Sequence, residues 1–240
     1  MIGAFLNATG ILLGALFGLM WTKPLSLRTQ VFFRSGLGAF TALFGLRLIW
    51  ENINGTVLPC LKQVLIVVLA VLLGYWLGKL LGLQKISNRI GRYAGHRFAV
   101  VQINPPGQPA DGFLTASILF CAAPLGLIGA VTDGLSDYYF LLAIKAVMDA
   151  LAMVSFMHVF RWPAALSAFS VYLFLNSLTL AVHYGVLPSL PSPALVTSIN
   201  ATAGILVCAT ALVVFEVRRV ELANYLPALA LAPLLTWFSR

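Results

Sequence analysis

Eight times the chain runs through a stretch of predominantly apolar residues long enough, or nearly so, to cross a bilayer. About 20 such residues in a helix span the roughly 30 Å of hydrocarbon. The runs are Ile2–Trp21, Val31–Trp50, Val57–Leu81, Phe113–Val131, Tyr138–Phe160, Ala164–Leu187, Leu195–Phe215 and Leu222–Trp237, the last being the shortest. In lipid every backbone polar group must find its partner within the protein, which leaves helices or closed barrels. Unbroken apolar runs, without the alternation of a barrel strand, select helices. The expected fold is therefore all-α: a polytopic bundle of about eight membrane helices, seven if one run fails to cross, forming a single transmembrane domain over 1–240. Composition agrees, with 60% hydrophobic and 9% charged residues and a mean hydropathy of +0.96. Soluble domains carry roughly 45–50% and about 25%. Such a chain has too few polar residues to cover a soluble surface. An ordinary soluble enzyme, a disordered chain and a nucleic-acid-binding domain are thereby excluded.

Charge placement gives an orientation. With the N-terminus outside, the inner connections and flanks hold Lys23, Arg28, Arg34, Lys79, Lys85, Arg89, Arg92, Arg97, Arg161, Arg218 and Arg219. The outer ones hold Arg47, Lys62 and Arg240, and Lys145 falls within a run. Eleven against three follows the positive-inside rule, so the net charge of +8 is a topology signal rather than a sign of a nucleic-acid partner. The first run has no basic stretch before it and is expected to be a retained span rather than a secretory signal. The connection 84–111 is the longest polar segment. Leu83, Ile86, Ile90, Tyr93 and Ala94 recur at helical spacing, with Lys85, Arg89 and Arg92 largely on the other side. This suggests a short basic helix on the inner membrane surface, ended by Asn104-Pro-Pro-Gly. A plain loop held near anionic lipid by its charge explains the same residues.

Lys145 and Asp149 carry the strongest chemical signal. Both lie within Tyr138–Phe160, four residues apart, so they share a helix face at pairing distance. Asp149 falls near the middle of the span. Each charge at such a depth costs on the order of 2.5–3.5 kcal/mol on insertion scales, and an ionisable residue there marks a functional site by default. Asp149 would bind a cation or take up a proton. Lys145 would tune it or hold an anion. A packing bridge that fixes one helix against its neighbours is the structural alternative.

Phe120-Cys-Ala-Ala-Pro-Leu-Gly-Leu-Ile-Gly is the second signal. Pro124 removes a backbone donor within the membrane, and Gly126, Gly129 and Asp133 follow. A helix broken there leaves backbone groups that line many transporter sites, while a proline kink with small residues for close packing is the simpler reading. Gly10, Gly14 and Gly18 form a close-packing stripe compatible with a homo-oligomer. Asn7 and Asn200 each open an Asn-Ala-Thr on a span, suited to bonding across helices or coordinating an ion. Gly36–Glu51 and Ala201–Glu216 echo one another in crossing directions that are opposite, as an inverted repeat would be. Cys60, Cys121 and Cys208 stand far apart, and no metal-ligand spacing, cofactor motif or catalytic triad occurs.

The sequence resembles the YdfK/YqgA-like bacterial membrane proteins (domain of unknown function 554) over nearly its whole length. The resemblance rests on Asn7 with the Gly10/Gly14/Gly18 stripe and on Phe120-Cys121 followed by Gly126, Gly129, Ala130 and Gly134. It rests also on Lys145 with Asp149 and on Asn224-x-Leu226-Pro227-Ala228. Ala122-Ala123 stands where glycine is expected, and Ala146 and Ala150 are the small residues beside the Lys/Asp pair. The resemblance implies a multi-pass protein of the bacterial cytoplasmic (inner) membrane, with members described loosely as ion channels or pumps.

The expected function is secondary transport or conduction of a small cation, sodium or a proton, or of a small solute. Asp149 is its binding carboxylate and Lys145 the charge partner. The chain around Pro124, Gly126, Gly129 and Asp133 would supply backbone and polar ligands, with Asn7 and Asn200 as further groups. The alternative is a non-transporting membrane scaffold or sensor that binds lipid or protein partners. No enzymatic activity and no cofactor are expected.

Overall fold

The computed structural model describes residues 2–20, 27–53, 55–103, 109–190, 192–218 and 220–239. Among them there are helices and no strands. The long ones are α1 (Ile2–Met20), α2 (Leu27–Asn52), α3 (Val57–Leu80) and α4 (Leu83–Ile103). They continue as α5 (Pro109–Cys121), α6 (Pro124–Ser136), α7 (Phe140–Phe160), α8 (Ser167–Leu180) and α9 (Pro193–Val214). The short α10 (Leu222–Tyr225) and α11 (Ala228–Phe238) end the chain. Among the described residues six helices are long and apolar enough to cross a membrane, and the bent pair α5–α6 makes a seventh if it is one span. The expected break at Pro124 is present: the two halves meet at 59°. The run expected at Ala164–Leu187 is longer, Trp162–Ser189, opening on a 3-10 turn and closing on a π turn over Ala181–Val186. Leu222–Trp237 is divided by Pro227 into two pieces too short to qualify alone. Helix α4 extends the expected basic helix to Ile103, while Asn104-Pro-Pro-Gly lies outside the described residues, as do Trp21 and Lys23.

The helices are turned inside out relative to a soluble protein. On α1 the buried positions are Gly3, Ala4, Asn7, Ile11, Gly14, Ala15 and Gly18, whereas Phe5 and Phe17 are more than 60% exposed. Large apolar side chains on the outside suit a lipid solvent, where burial brings no hydrophobic gain and close packing of small residues drives association.

The chain divides into two compact units, Met1–Val31 with Ile86–Leu180, and Phe32–Lys85 with Ala181–Arg240. In the first, α1 lies along α7, flanked by α8 and the α5–α6 pair. Cβ atoms added at Gly3, Gly10, Gly14 and Gly18 would strike Leu142, Ala146, Ala150 and Met157 in turn. The two helices are therefore parallel, and the glycine stripe is occupied by α7 of the same chain.

In the second unit, α9 and α11 pack on α3. The two echoing segments are direct partners: Gly45 meets Gly204 and Cys208, Gly38 meets Phe215, and Arg34 pairs with Glu216. They run antiparallel, and the echo coincides with small residues on facing helices. Asn224 closes a polar latch, accepting from the Gln84 backbone N–H at 3.0 Å and donating to Glu221 at 2.8 Å.

Candidate functional site

The parallel contact of α1 with α7 has a local cause. Gly10 and Gly14 on one helix and Ala146 and Ala150 on the other bring the backbones so close that a Cβ at Gly10 would lie 2.6 Å from the Ala146 carbonyl oxygen. At this spacing the short side chain of Asn7 reaches across. Its Nδ2 donates to Asp149 Oδ2 at 3.0 Å. Lys145, one turn before Asp149 on α7, donates its Nζ to the same oxygen.

All three residues are buried. Asn7 is fully enclosed, Lys145 is 1% exposed and Asp149 6% exposed. Lys145 heads the fully buried side chains by volume among the described residues. A lysine in such a place must keep its counter-ion, because an unpaired buried charge is far more costly than a paired one. Its aliphatic stem runs beside the helix break. Lys145 Cε lies 2.7 Å from where a Cβ on Gly126 would be, so any side chain at that position would push it aside. The Phe120 ring lies 5.9 Å from Nζ, within range of a cation–π contact.

The break supplies polar backbone at the same level. Pro124 has no N–H to offer the Phe120 carbonyl, so α5 ends one residue later and α6 starts afresh with Pro124 at its first turn. Ala122 N–H still reaches the Ile118 carbonyl at 3.0 Å, and Gly126 N–H turns back to Ala123 at 2.9 Å. Gly126, in the first turn of α6, thus sits against the Lys145 stem.

The centre is not saturated. Asn7 Oδ1 is buried and has no hydrogen-bond partner among the described residues. A solute at this point would meet a carboxylate, an amide oxygen and an ammonium together.

Of the residues singled out by sequence, the structure brings Asn7, Lys145, Asp149 and Gly126 into contact, with Pro124 setting the break. Gly129 instead makes room for Leu142, whose side-chain carbons would lie 2.9 Å from its added Cβ. Asp133, 2% exposed, sits beside Gly3, one turn of α1 before Asn7; its Oδ2 is 3.1 Å from the Cβ position there. Asn200 belongs to the second unit, where it donates to Asn52 Oδ1 at 3.3 Å. Phe120 joins the centre as a neighbour of Lys145 without a signal in the sequence, where it is one more aromatic a few residues before an intramembrane proline. No group of three or more His, Cys, Asp or Glu residues arranged to hold a metal occurs among the described residues.

Fold and site together define a polytopic α-helical membrane protein with a buried Lys–Asp–Asn centre at a broken helix. The chain belongs to the family described as Protein of unknown function (DUF554), whose model matches residues 2–237. It is 29% identical over 232 residues to the "Uncharacterized protein YqgA" of Escherichia coli (strain K12), covering 96% of this chain and 94% of that one. It is 22% identical over 233 residues to the "Uncharacterized membrane protein YdfK" of Bacillus subtilis (strain 168), covering 97% and 94%. No solved structure matches it.

Proposed function

We propose that the first unit is the core of a secondary transporter or channel for a small ion or solute of the bacterial inner membrane, with a small cation as its first substrate. One observation carries this reading: Asp149 is held deep within the apolar first unit by Lys145 and Asn7, at a helix break, with the Asn7 carbonyl oxygen left over. Asp149 is the binding carboxylate, and Asn7 Oδ1 is a second oxygen ligand. Lys145 holds the empty site neutral.

Cation and ammonium compete. Two unit positive charges about 4 Å apart repel by about 4 kcal/mol at an effective dielectric constant of 20. A cation arriving at Asp149 Oδ2 would therefore displace the Lys145 ammonium rather than join it. Such displacement gives the site two states, the minimum that alternating access needs.

Flux in proteoliposomes tests the reading. Sodium and proton movement driven by an imposed gradient is expected in the wild type and lost in Asp149→Asn, which still inserts and runs as a monodisperse particle. Wild-type flux in Asp149→Asn removes the mechanism.

A scaffold or sensor role is the second reading. Helix α4 favours it: Lys85, Arg89 and Arg92 are exposed and the helix carries no acid. The glycine stripe does not, because α7 already covers it.

A further inference from the structure

The buried centre sets one negative charge against two sources of positive charge. Lys145 and Asp149 neutralise each other. The second positive source is the N-terminal end of α6. Gly129 faces Leu142 and Gly126 faces Lys145, so α6 runs antiparallel to α7. Asp149, four residues beyond Lys145, is about 6 Å further along α7 at 1.5 Å per residue. Pro124, the first residue of α6, is only two residues before Gly126. The ion pair therefore straddles the level at which α6 begins. A helix start carries partial positive charge on its free N–H groups and favours an anion. No side chain caps this one, since Ala123 stands at the N-cap.

A cation on Asp149 upsets this balance. The carboxylate then serves the cation, together with Asn7 Oδ1, which is buried and has no hydrogen-bond partner among the described residues. The Lys145 ammonium loses its counter-ion. Lys145 is 1% exposed, so bulk water is out of its reach. The Phe120 ring, 5.9 Å from Nζ, offers a weak cation–π contact and no counter-charge. The other carboxylates of the first unit are engaged or distant. Asp111 pairs with Arg97 at 3.5 Å, and Asp137 is exposed. Asp133 is seven residues along α6 from Gly126, about 10 Å at helical rise. A buried charge without a partner is far more costly than a paired one. One small anion between Lys145 and the start of α6 answers both positive groups at once. Loss of the Lys145 proton would answer only one of them.

We propose that the centre takes ions in pairs: a small monovalent cation at Asp149 and Asn7 Oδ1, and a small monovalent anion at Lys145 beside the first turn of α6. Each ion gives the other its counter-charge, so each raises the affinity for the other by the same factor. The two travel together, and the step moves no net charge. The inference rests on Asp149 being the cation site.

The test uses purified full-length protein in proteoliposomes under an inward sodium gradient, with chloride or the bulky gluconate as the anion on both sides. Asp149→Asn gives the background. Radioactive sodium uptake above that background is expected in chloride and to be at least tenfold slower in gluconate. Labelled chloride is expected to enter with sodium one for one. An inside-negative potential set by potassium and valinomycin is expected to leave the rate unchanged. Lys145→Met lacks the ammonium, so its sodium uptake is expected to run in gluconate and to speed up under the same potential. Asp149-dependent wild-type uptake in gluconate at the chloride rate overturns the anion site and leaves the Asp149 site standing. Sodium uptake matched by proton exit does the same, since Lys145 then gives up its proton instead. An anion requirement retained by Lys145→Met puts the anion elsewhere and overturns the site as well. Wild-type protein without Asp149-dependent uptake in either salt overturns both readings. If Lys145→Met does not insert, the wild-type measurements decide alone, because anion requirement and charge balance are read without a variant.

Discussion

At the scale of single residues, the Lys145–Asp149 pair costs stability, and that cost can be measured apart from function. Breaking a buried ion pair by removing one partner typically costs about 3–5 kcal/mol, while replacing both by apolar residues of similar volume is often neutral or stabilising by about 1–4 kcal/mol. Asp149→Leu alone is expected to strand Lys145 and lower the unfolding temperature sharply in detergent. Lys145→Met combined with Asp149→Leu is expected to recover the wild-type value or exceed it, yet to carry no ion. A double variant as unstable as the single one would show that the pair holds the helices together and is kept for that. Half of this centre was legible in the sequence. A lysine and an aspartate four apart on an apolar run announce themselves, because helical periodicity alone brings them together. Asn7 was legible as an amide suited to bonding across helices or to an ion, but not as the partner of Asp149 in particular. Its bond to Asp149 joins residues 142 positions apart, and local spacing says nothing about that.

At the scale of elements, the decisive contact is between α1 and α7. The stripe of Gly10, Gly14 and Gly18 was readable as a surface made for close approach, but not what it approaches; a second copy of the chain would have suited it equally. The structure answers with Ala146, Ala150 and Met157, and a Cβ at Gly14 would run into the Ala150 carbonyl. Overpacking of this kind typically costs about 1–3 kcal/mol. Gly14→Ala is therefore expected to lower the unfolding temperature, and with it ion flux, because it pushes Asn7 away from Asp149. Gly36, in α2, has nothing within 4 Å of its added Cβ. There alanine is expected to be neutral or to stabilise by up to about 1 kcal/mol, through helix propensity alone. Equal effects at the two positions in thermal unfolding would contradict the packing described for α1. Pro124 shows the same division between what was readable and what was not. Its lack of an N–H foretells a break, whereas the 59° bend depends on what packs to either side.

At the scale of the molecule, the direction of each helix determines how often the chain crosses. Helix α1 runs parallel to α7, as their successive contacts show. Two spans, α2 and α3, and the polar α4 separate α1 from the α5–α6 pair. If α2 and α3 both cross, parallel directions predict one net crossing for α5–α6, a broken span rather than a loop that returns to its own side. The same reasoning recovers the last run, which is too short by length alone. In the second unit Gly78 of α3 meets Asn224, Gly74 meets Ala228, and Lys62 donates to the Ser239 carbonyl. From Gly78 to Lys62 is about 24 Å of helix at 1.5 Å per residue, most of the roughly 30 Å hydrocarbon thickness. Helices α10 and α11 together therefore run antiparallel to α3 over that length, and are expected to cross with it. Eight crossings would put both ends of the chain on one face, and the bias of lysine and arginine predicts the outer one. Alkaline phosphatase, active only outside the cytoplasm, is expected to be active when fused after Arg240 and inactive when fused after Ile103. The same result at both fusion points, in a chain that is fully inserted, would mean that one of these two broken spans does not cross. If that span were α5–α6, the break beside Lys145 would open to one side of the membrane only, and the centre would be a binding pocket rather than a passage.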